Sequence, residues 1–370
     1  MKKITLGALM AVLCLSAVSA YNPPAGGESL YELSSPSALS GQNSVAAGGI
    51  YKIGPESLTV NPALLATEQR VVLNMAYTAL FSSNDVNELP FGSAIQTGIV
   101  IPTKLYVYSI YLNGTFVPFE EMNLRNTLST KMGMSKSITD KLDVGLGLNA
   151  GMAWGADNDW ALSTNLGFLA KVGTVAFMKD FRYGVSVLNF GKNFNASSIG
   201  SDSSSETSAY PTIASLKAGV AATLFSNDII KLGYSFDVTI PGFQNLIFDT
   251  GLKFGIKDSF AISVNEKINL VESIRGCNNY IPSVGFNFKF TFDIKNKAPV
   301  EESTEEVKEN KFASYMESKE WSESEMTVSM AYKNLYQSVT AVSTGVDINL
   351  GMKDDKPPVI EIMFDDEDEE

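Results

Sequence analysis

The stretch from Lys141 to Gly155 alternates without a break. Leu142, Val144, Leu146, Leu148, Ala150, Met152 and Trp154 fall on one face, and Asp143, Gly145, Gly147, Asn149 and Gly151 on the other. Successive side chains of a β-strand point to opposite sides, so this is a strand with one apolar face and one small or polar face. Val284 to Ile294 repeats the pattern more strongly. Phe286, Phe288, Phe290 and Phe292 share a face, opposite Asn287, Lys289 and Thr291. In water such a phenylalanine row needs a second protein layer over it, whereas in a bilayer lipid is that layer.

Fourteen segments of strand length carry this signature, the first at 70–81 and the last at 338–351. Tight, turn-like junctions stand at Pro102-Thr103, Asn227-Asp228 and Lys257-Asp258. Longer links stand at 82–91, 114–122, 192–210 and 269–280. Short turns at one end and longer loops at the other are the habit of outer-membrane barrels. The reading is an all-β chain: a fourteen-stranded antiparallel transmembrane β-barrel over 67–352. Lys231 with Asp237, Lys253 with Asp249, and Lys289 with Asp293 are read either as pairs across the lumen or as solvated strand ends. A soluble β-sandwich is the competing architecture.

The first twenty residues read as a cleaved signal peptide. Met1-Lys2-Lys3 is a positive start, Ile4 to Leu15 a short apolar run, and Val18-Ser19-Ala20 a small-residue cleavage site. A retained anchor helix and lipidation at Cys14 are the weaker alternatives. Removing this segment leaves Cys277 as the one cysteine and a net charge of −15. Residues 301–325 carry −6 of that charge and residues 354–370 carry −8, so the strand-bearing body is nearly neutral. An acidic insert (295–325) and an acidic tail (353–370) are therefore expected to be solvated chain. Strand parity places both at the end of the barrel that holds the termini. With no basic stripe to meet phosphates, no nucleic-acid partner is expected. The chain has no His, which removes the commonest general base and the commonest metal ligand. No phosphate loop or cysteine pair is present, so no cofactor, no metal and no enzymatic activity is expected.

Residues 21–66 lack the alternation but hold Leu30, Tyr31, Leu33 and Leu39 among other apolar residues, too many for a solvated tail. The run from Ser29 to Gly48, followed by Asn61-Pro62-Ala63, resembles the plug and Asn-Pro-Ala signature of the FadL-type outer-membrane transporters of hydrophobic compounds, including PorV-like proteins. The resemblance implies that 21–66 folds as a plug inside the barrel, with Asn61, Pro62 and Ala63 closing it before the first strand. It further implies a bacterial outer-membrane location and passive passage of hydrophobic compounds, long-chain fatty acids above all. Outer-membrane lipids, a fatty-acid ligand and the barrel-assembly machinery are the implied partners. A non-transporting scaffold barrel that binds a periplasmic protein is the alternative function. The acidic insert and tail depart from the family's usual pattern.

Overall fold

The computed structural model describes residues 33–47, 51–82, 91–117, 126–154, 158–194, 214–243, 245–275, 280–294, 321–335 and 339–351. The expected signal peptide, Leu30, Tyr31, Cys277, the tail and most of the acidic insert lie outside these residues. Fourteen strands run in chain order: β1 (Val71–Ser82), β2 (Phe91–Pro102), β3 (Val107–Phe116), β4 (Asn126–Thr139), β5 (Leu142–Trp154), β6 (Asp159–Val175), β7 (Met178–Lys192), β8 (Ser215–Ser226), β9 (Ile230–Pro241), β10 (Ile247–Ile256), β11 (Phe260–Asn269), β12 (Ser283–Ile294), β13 (Trp321–Asn334) and β14 (Val339–Leu350).

Each strand pairs antiparallel with its neighbours in sequence, and β14 returns to β1 to close the ring. The closing seam is long and regular, from Val71 opposite Leu350 to Ser82 opposite Val339. Closure leaves no strand edge with unpaired N–H and C=O groups, the condition for a sheet to sit in lipid. The turns follow from local sequence. Lys257 and Asp258 both take positive φ, 50° and 52°, and the Ser259 N–H donates to the Ile256 carbonyl at 3.2 Å, so the three-residue β10–β11 connection holds a turn of the primed type. The ladder between β11 and β12 is the shortest in the ring, with six residue pairs.

Alternation sorts the side chains as the period requires. Leu146, Leu148 and Met152 are exposed on the outer face of β5, while Asp143 and Asn149 are buried on its inner face. On β12, Phe288 is 42% exposed and Asn287 8%. Phe286 and Phe290 are exposed like Phe288, and Phe292, near the strand's end, is half-buried. Comparable exposed rows occur at Tyr108, Ile110 and Leu112 on β3, Leu162, Leu166 and Phe168 on β6, and Met330 and Tyr332 on β13. A soluble monomer rarely exposes a continuous apolar patch beyond a few hundred Å². A belt of this kind around one closed ring needs lipid, and the single ring excludes the two-layer sandwich.

Two boundaries differ from the expectation. β13 starts at Trp321, so five residues read as acidic insert are strand. A register shift between Phe292 and Ile294, with Glu323 at φ 57°, extends the pairing to Ile294 opposite Trp321. Bulges of this kind add a residue that breaks the period on which the sequence reading relies. β8 starts at Ser215 rather than near 211. The strand ends that flank 295–320 lie at the same end of the barrel as the start of β1 and the end of β14.

The outward assignment is testable on β12. Phe288→Arg is expected to cost about 2–4 kcal/mol at the level of the bilayer, and Asn287→Ala about 1 kcal/mol for a lost hydrogen bond. Equilibrium unfolding in phospholipid vesicles measures both, and equal costs would contradict the assignment.

Candidate functional site

The lumen holds the described part of the N-terminal segment. Its local structure comes from three short helices, each opened by a proline: α1 (Pro36–Leu39), η1 (Pro55–Thr59) and η2 (Pro62–Thr67). Proline suits the first helical position because its missing N–H would have no partner there and its φ is already helical. Ser35 caps α1 by accepting from the Ala38 N–H at 3.1 Å. Asn61 caps η2 by accepting from the Ala63 N–H at 3.0 Å.

Asn61 is fully buried, and its amide nitrogen donates to the carbonyls of Val45, at 2.8 Å, and Phe168, at 3.0 Å. One side chain thus caps a helix, ties it to the earlier part of the segment and fixes both to the wall at β6. The wall makes room with glycine. A Cβ on Gly167 would overlap the Asn61 side chain, one on Gly145 would overlap the Pro62–Ala63 backbone, and one on Gly184 the Val45 carbonyl. The inward glycines of β5, β6 and β7 are therefore places where two backbones meet.

Further bonds reach the segment from around the ring. Asn165 on β6 donates to the Leu58 carbonyl at 2.8 Å, and Ser186 on β7 to the Val60 carbonyl at 2.6 Å. Asp237 on β9 accepts from the Ser44 hydroxyl and the Val45 N–H, both at 2.9 Å, and pairs with Lys217 at 3.3 Å. Gln42 donates to Ser263 on β11 at 2.9 Å and accepts from Asn287 on β12 at 2.8 Å.

On the opposite wall a directional relay runs through four strands. Tyr111 on β3 shares a 2.8 Å bond with Ser34 and donates to Gln96 on β2 at 2.9 Å. Gln96 donates to Asn74 on β1 at 2.6 Å, and Asn74 donates to Asp347 on β14. Asp347 is ion-paired with Lys52 of the inner segment. Both ends of the relay are thus in the segment, and the middle crosses the closing seam. Where the chain leaves the lumen, Arg70 pairs with Glu68 at 3.3 Å and with Glu325 at 2.8 Å, and Glu325 also pairs with Lys289 at 2.8 Å.

The expected Lys–Asp pairs are not those formed. Lys231 pairs with Asp258 at the exposed turn, Asp237 with Lys217, and Lys289 with Glu325. Asp249 accepts from Asn265. These partners lie across strand pairs or on the inner segment, and period alone cannot name them. Of the expected apolar inner residues, Leu33 and Leu39 are fully buried in a cluster with Leu80, Ala94, Phe194 and Ala341. Among the described residues, no group of three or more His, Cys, Asp or Glu is placed to hold a metal ion. The unforeseen participants are Gln42, Gln96, Tyr111 and Asp347. For Gln96, Tyr111 and Asp347 the signal was only a polar residue on the inner face of a strand, and Gln42 lies in the inner segment, which has no period to read.

With this geometry in view, the chain's fold is similar to that of the CymD monoaromatic hydrocarbon channel (TM-score 0.50, 10% identity, covering 86% of this chain and 97% of that one). The toluene transporter TbuX of Ralstonia pickettii aligns at TM-score 0.49 and 11% identity, over 88% of this chain and 99% of that one. A FadL homologue of Pseudomonas aeruginosa aligns at 0.38 and 11% identity, over 84% and 96%. No family model matches the sequence, and no curated protein does. The likeness is one of fold: a closed fourteen-stranded antiparallel barrel.

Two predictions follow from the seating of the segment. Gly167→Val forces its side chain into Asn61 and Pro62, and overpacking of this kind costs about 1–3 kcal/mol. Trypsin cleavage at Lys52 should accelerate while the barrel keeps its heat-modifiable migration on gels; unchanged cleavage would mean the contact is slack. The second concerns Glu56 in η1. Burial, and then the negative charge of Asp347, push its carboxyl up to about 7, with Lys52 partly offsetting them. A raised pKa favours the protonated form in the seated state. Seating is therefore strongest below the ordinary carboxylate range and weakens as pH rises through about 7. Protease access to Lys52 should rise between about pH 5 and about pH 8, and Glu56→Gln should flatten that rise.

Proposed function

We propose that this chain is an outer-membrane channel for hydrophobic compounds in which residues 21–66 act as a plug. Passage is passive, gated by local rearrangement of the plug. The observation that carries the reading is a lipid-demanding outer belt around a lumen occupied by a locally folded segment of the same chain. A fourteen-stranded ring is too wide for its own side chains to fill, so an inner segment sets its permeability. The fold likeness to a channel named for monoaromatic hydrocarbons supports a hydrophobic cargo. The resemblance of the Asn61-Pro62-Ala63 region supports long-chain fatty acids as the first class to test. The matching cell biology is export on residues 1–20, insertion by the barrel-assembly machinery, and contact with outer-membrane lipid.

A second reading has one observation behind it. The chain ends flanking 295–320 and the end of β14 share one rim. Acidic segments gathered there suit a scaffold barrel that engages a periplasmic protein, with no transport. Two measurements separate the readings. Deleting 21–58 is expected to turn a nearly silent barrel into a conducting pore in planar bilayers; unchanged conductance would reject the plug. Saturable uptake of labelled fatty acid into proteoliposomes is expected of the channel, and no uptake is expected of the scaffold.

A further inference from the structure

The lumen faces of β3, β4 and β5 carry a polar cluster with no hydrogen bond to the inner segment among the described residues. It lies toward the end opposite the termini. Inward parity on β3 is set by Tyr111, which meets Ser34, so Asn113 and Thr115 face inward as well. Inward parity on β4 is set by Gly133, which abuts Leu58, so Ser129 and Thr127 share that face. Asn113 stands opposite Ser129, and Thr115 opposite Thr127. These four residues are at most 2% exposed. Yet both amide atoms of Asn113 and the hydroxyls of Thr115, Thr127 and Ser129 have no hydrogen-bond partner, and neither does the amide oxygen of Asn149 on β5. Just beyond lies an apolar cluster that includes Leu33, Val117, Ala153 and Phe194.

Unpartnered buried polar atoms are costly, and native proteins keep them few. Here six gather on three adjacent strands beside an apolar cluster. Resting on the channel reading above, we propose that this cluster binds the hydroxyl head of a hydrophobic compound, with the apolar tail against Leu33 and Phe194. The chemistry selects among heads. A bare hydrocarbon leaves every one of these atoms unpaired. A carboxylate accepts but does not donate, and so leaves the amide oxygens of Asn113 and Asn149 unserved; the buried ammonium of Lys131, on the same face of β4 opposite Asn149, is already engaged in an interaction of its own. A hydroxyl donates to one amide oxygen and accepts from up to two of the other groups, and so serves both kinds of atom at once. The atoms are closed to solvent, so the head reaches them only when the Leu33–Phe194 cluster parts.

The test is uptake of dodecanol, dodecane and laurate, matched in chain length, into proteoliposomes holding the full chain. The wild type is expected to take up dodecanol fastest. The variant Asn113→Leu/Thr127→Val/Ser129→Ala should lose dodecanol uptake by about tenfold, the equivalent of one such bond, with dodecane uptake undiminished. Single variants Thr127→Val and Ser129→Ala, which barely change volume, should each show part of the loss and serve if the triple variant fails to assemble. Fastest uptake of laurate or dodecane by the wild type overturns the head-group assignment. So does an equal fall for all three probes in variants that keep heat-modifiable migration. Uptake of none of the probes by the wild type defeats the channel reading itself and this site with it.

Discussion

Everything inside the barrel depends on one requirement: a non-repetitive backbone removed from water must find hydrogen-bond partners in the wall. The carbonyls of Leu58 and Val60 and the N–H of Val45 are met by Asn165, Ser186 and Asp237. Those wall residues occupy inward positions that a porin would leave to water. The barrel interior is therefore better regarded as a receptor for its own N-terminus than as an emptied pore. Glycine at 145, 167 and 184 belongs to the same solution, since the inner segment lies so close to the wall there that a Cβ would overlap it.

The apolar contribution comes in separate clusters toward the two ends of the barrel. Leu33, Leu39, Leu80 and Phe194 form a cluster that joins the inner segment to β1 and to the link after β7. Tyr111 and Leu58 anchor another beneath it, with Val72 and Val100. Between and around these clusters the contacts are polar. That division suits a part held firmly yet released without unfolding the wall, because each polar bond exchanged for a bond to water or ligand costs little net free energy.

The barrel was legible because period two is a local property. Lys141–Gly155 and Val284–Ile294 declare their faces without reference to any neighbour. The number and order of strands follow, and so does the antiparallel pairing. The Asn-Pro-Ala region was singled out only by its resemblance to a known family; that Asn61 caps the helix behind Pro62 was not read from the residues. What stayed hidden was non-local. Asp237 gives no sign that Lys217 and Ser44 are its partners, nor Asp347 that it is met by Asn74 and Lys52. The bulge that lets β13 begin at Trp321 was hidden for the opposite reason, because one inserted residue erases the local rhythm.

The relay from Ser34 to Lys52 also carries a consequence for the order of assembly. Its members come from residues 34, 52, 74, 96, 111 and 347. Asp347 belongs to the last strand, so the relay is incomplete until β14 has zipped onto β1. Contacts of such sequence separation form late, after the loop-closure entropy of the whole chain has been met. Ser34 and Lys52, which precede every strand, are thus among the last residues to reach their final partners. A nascent barrel with its seam still open has an unlatched interior, and docking of the N-terminus marks the moment at which the cylinder is whole.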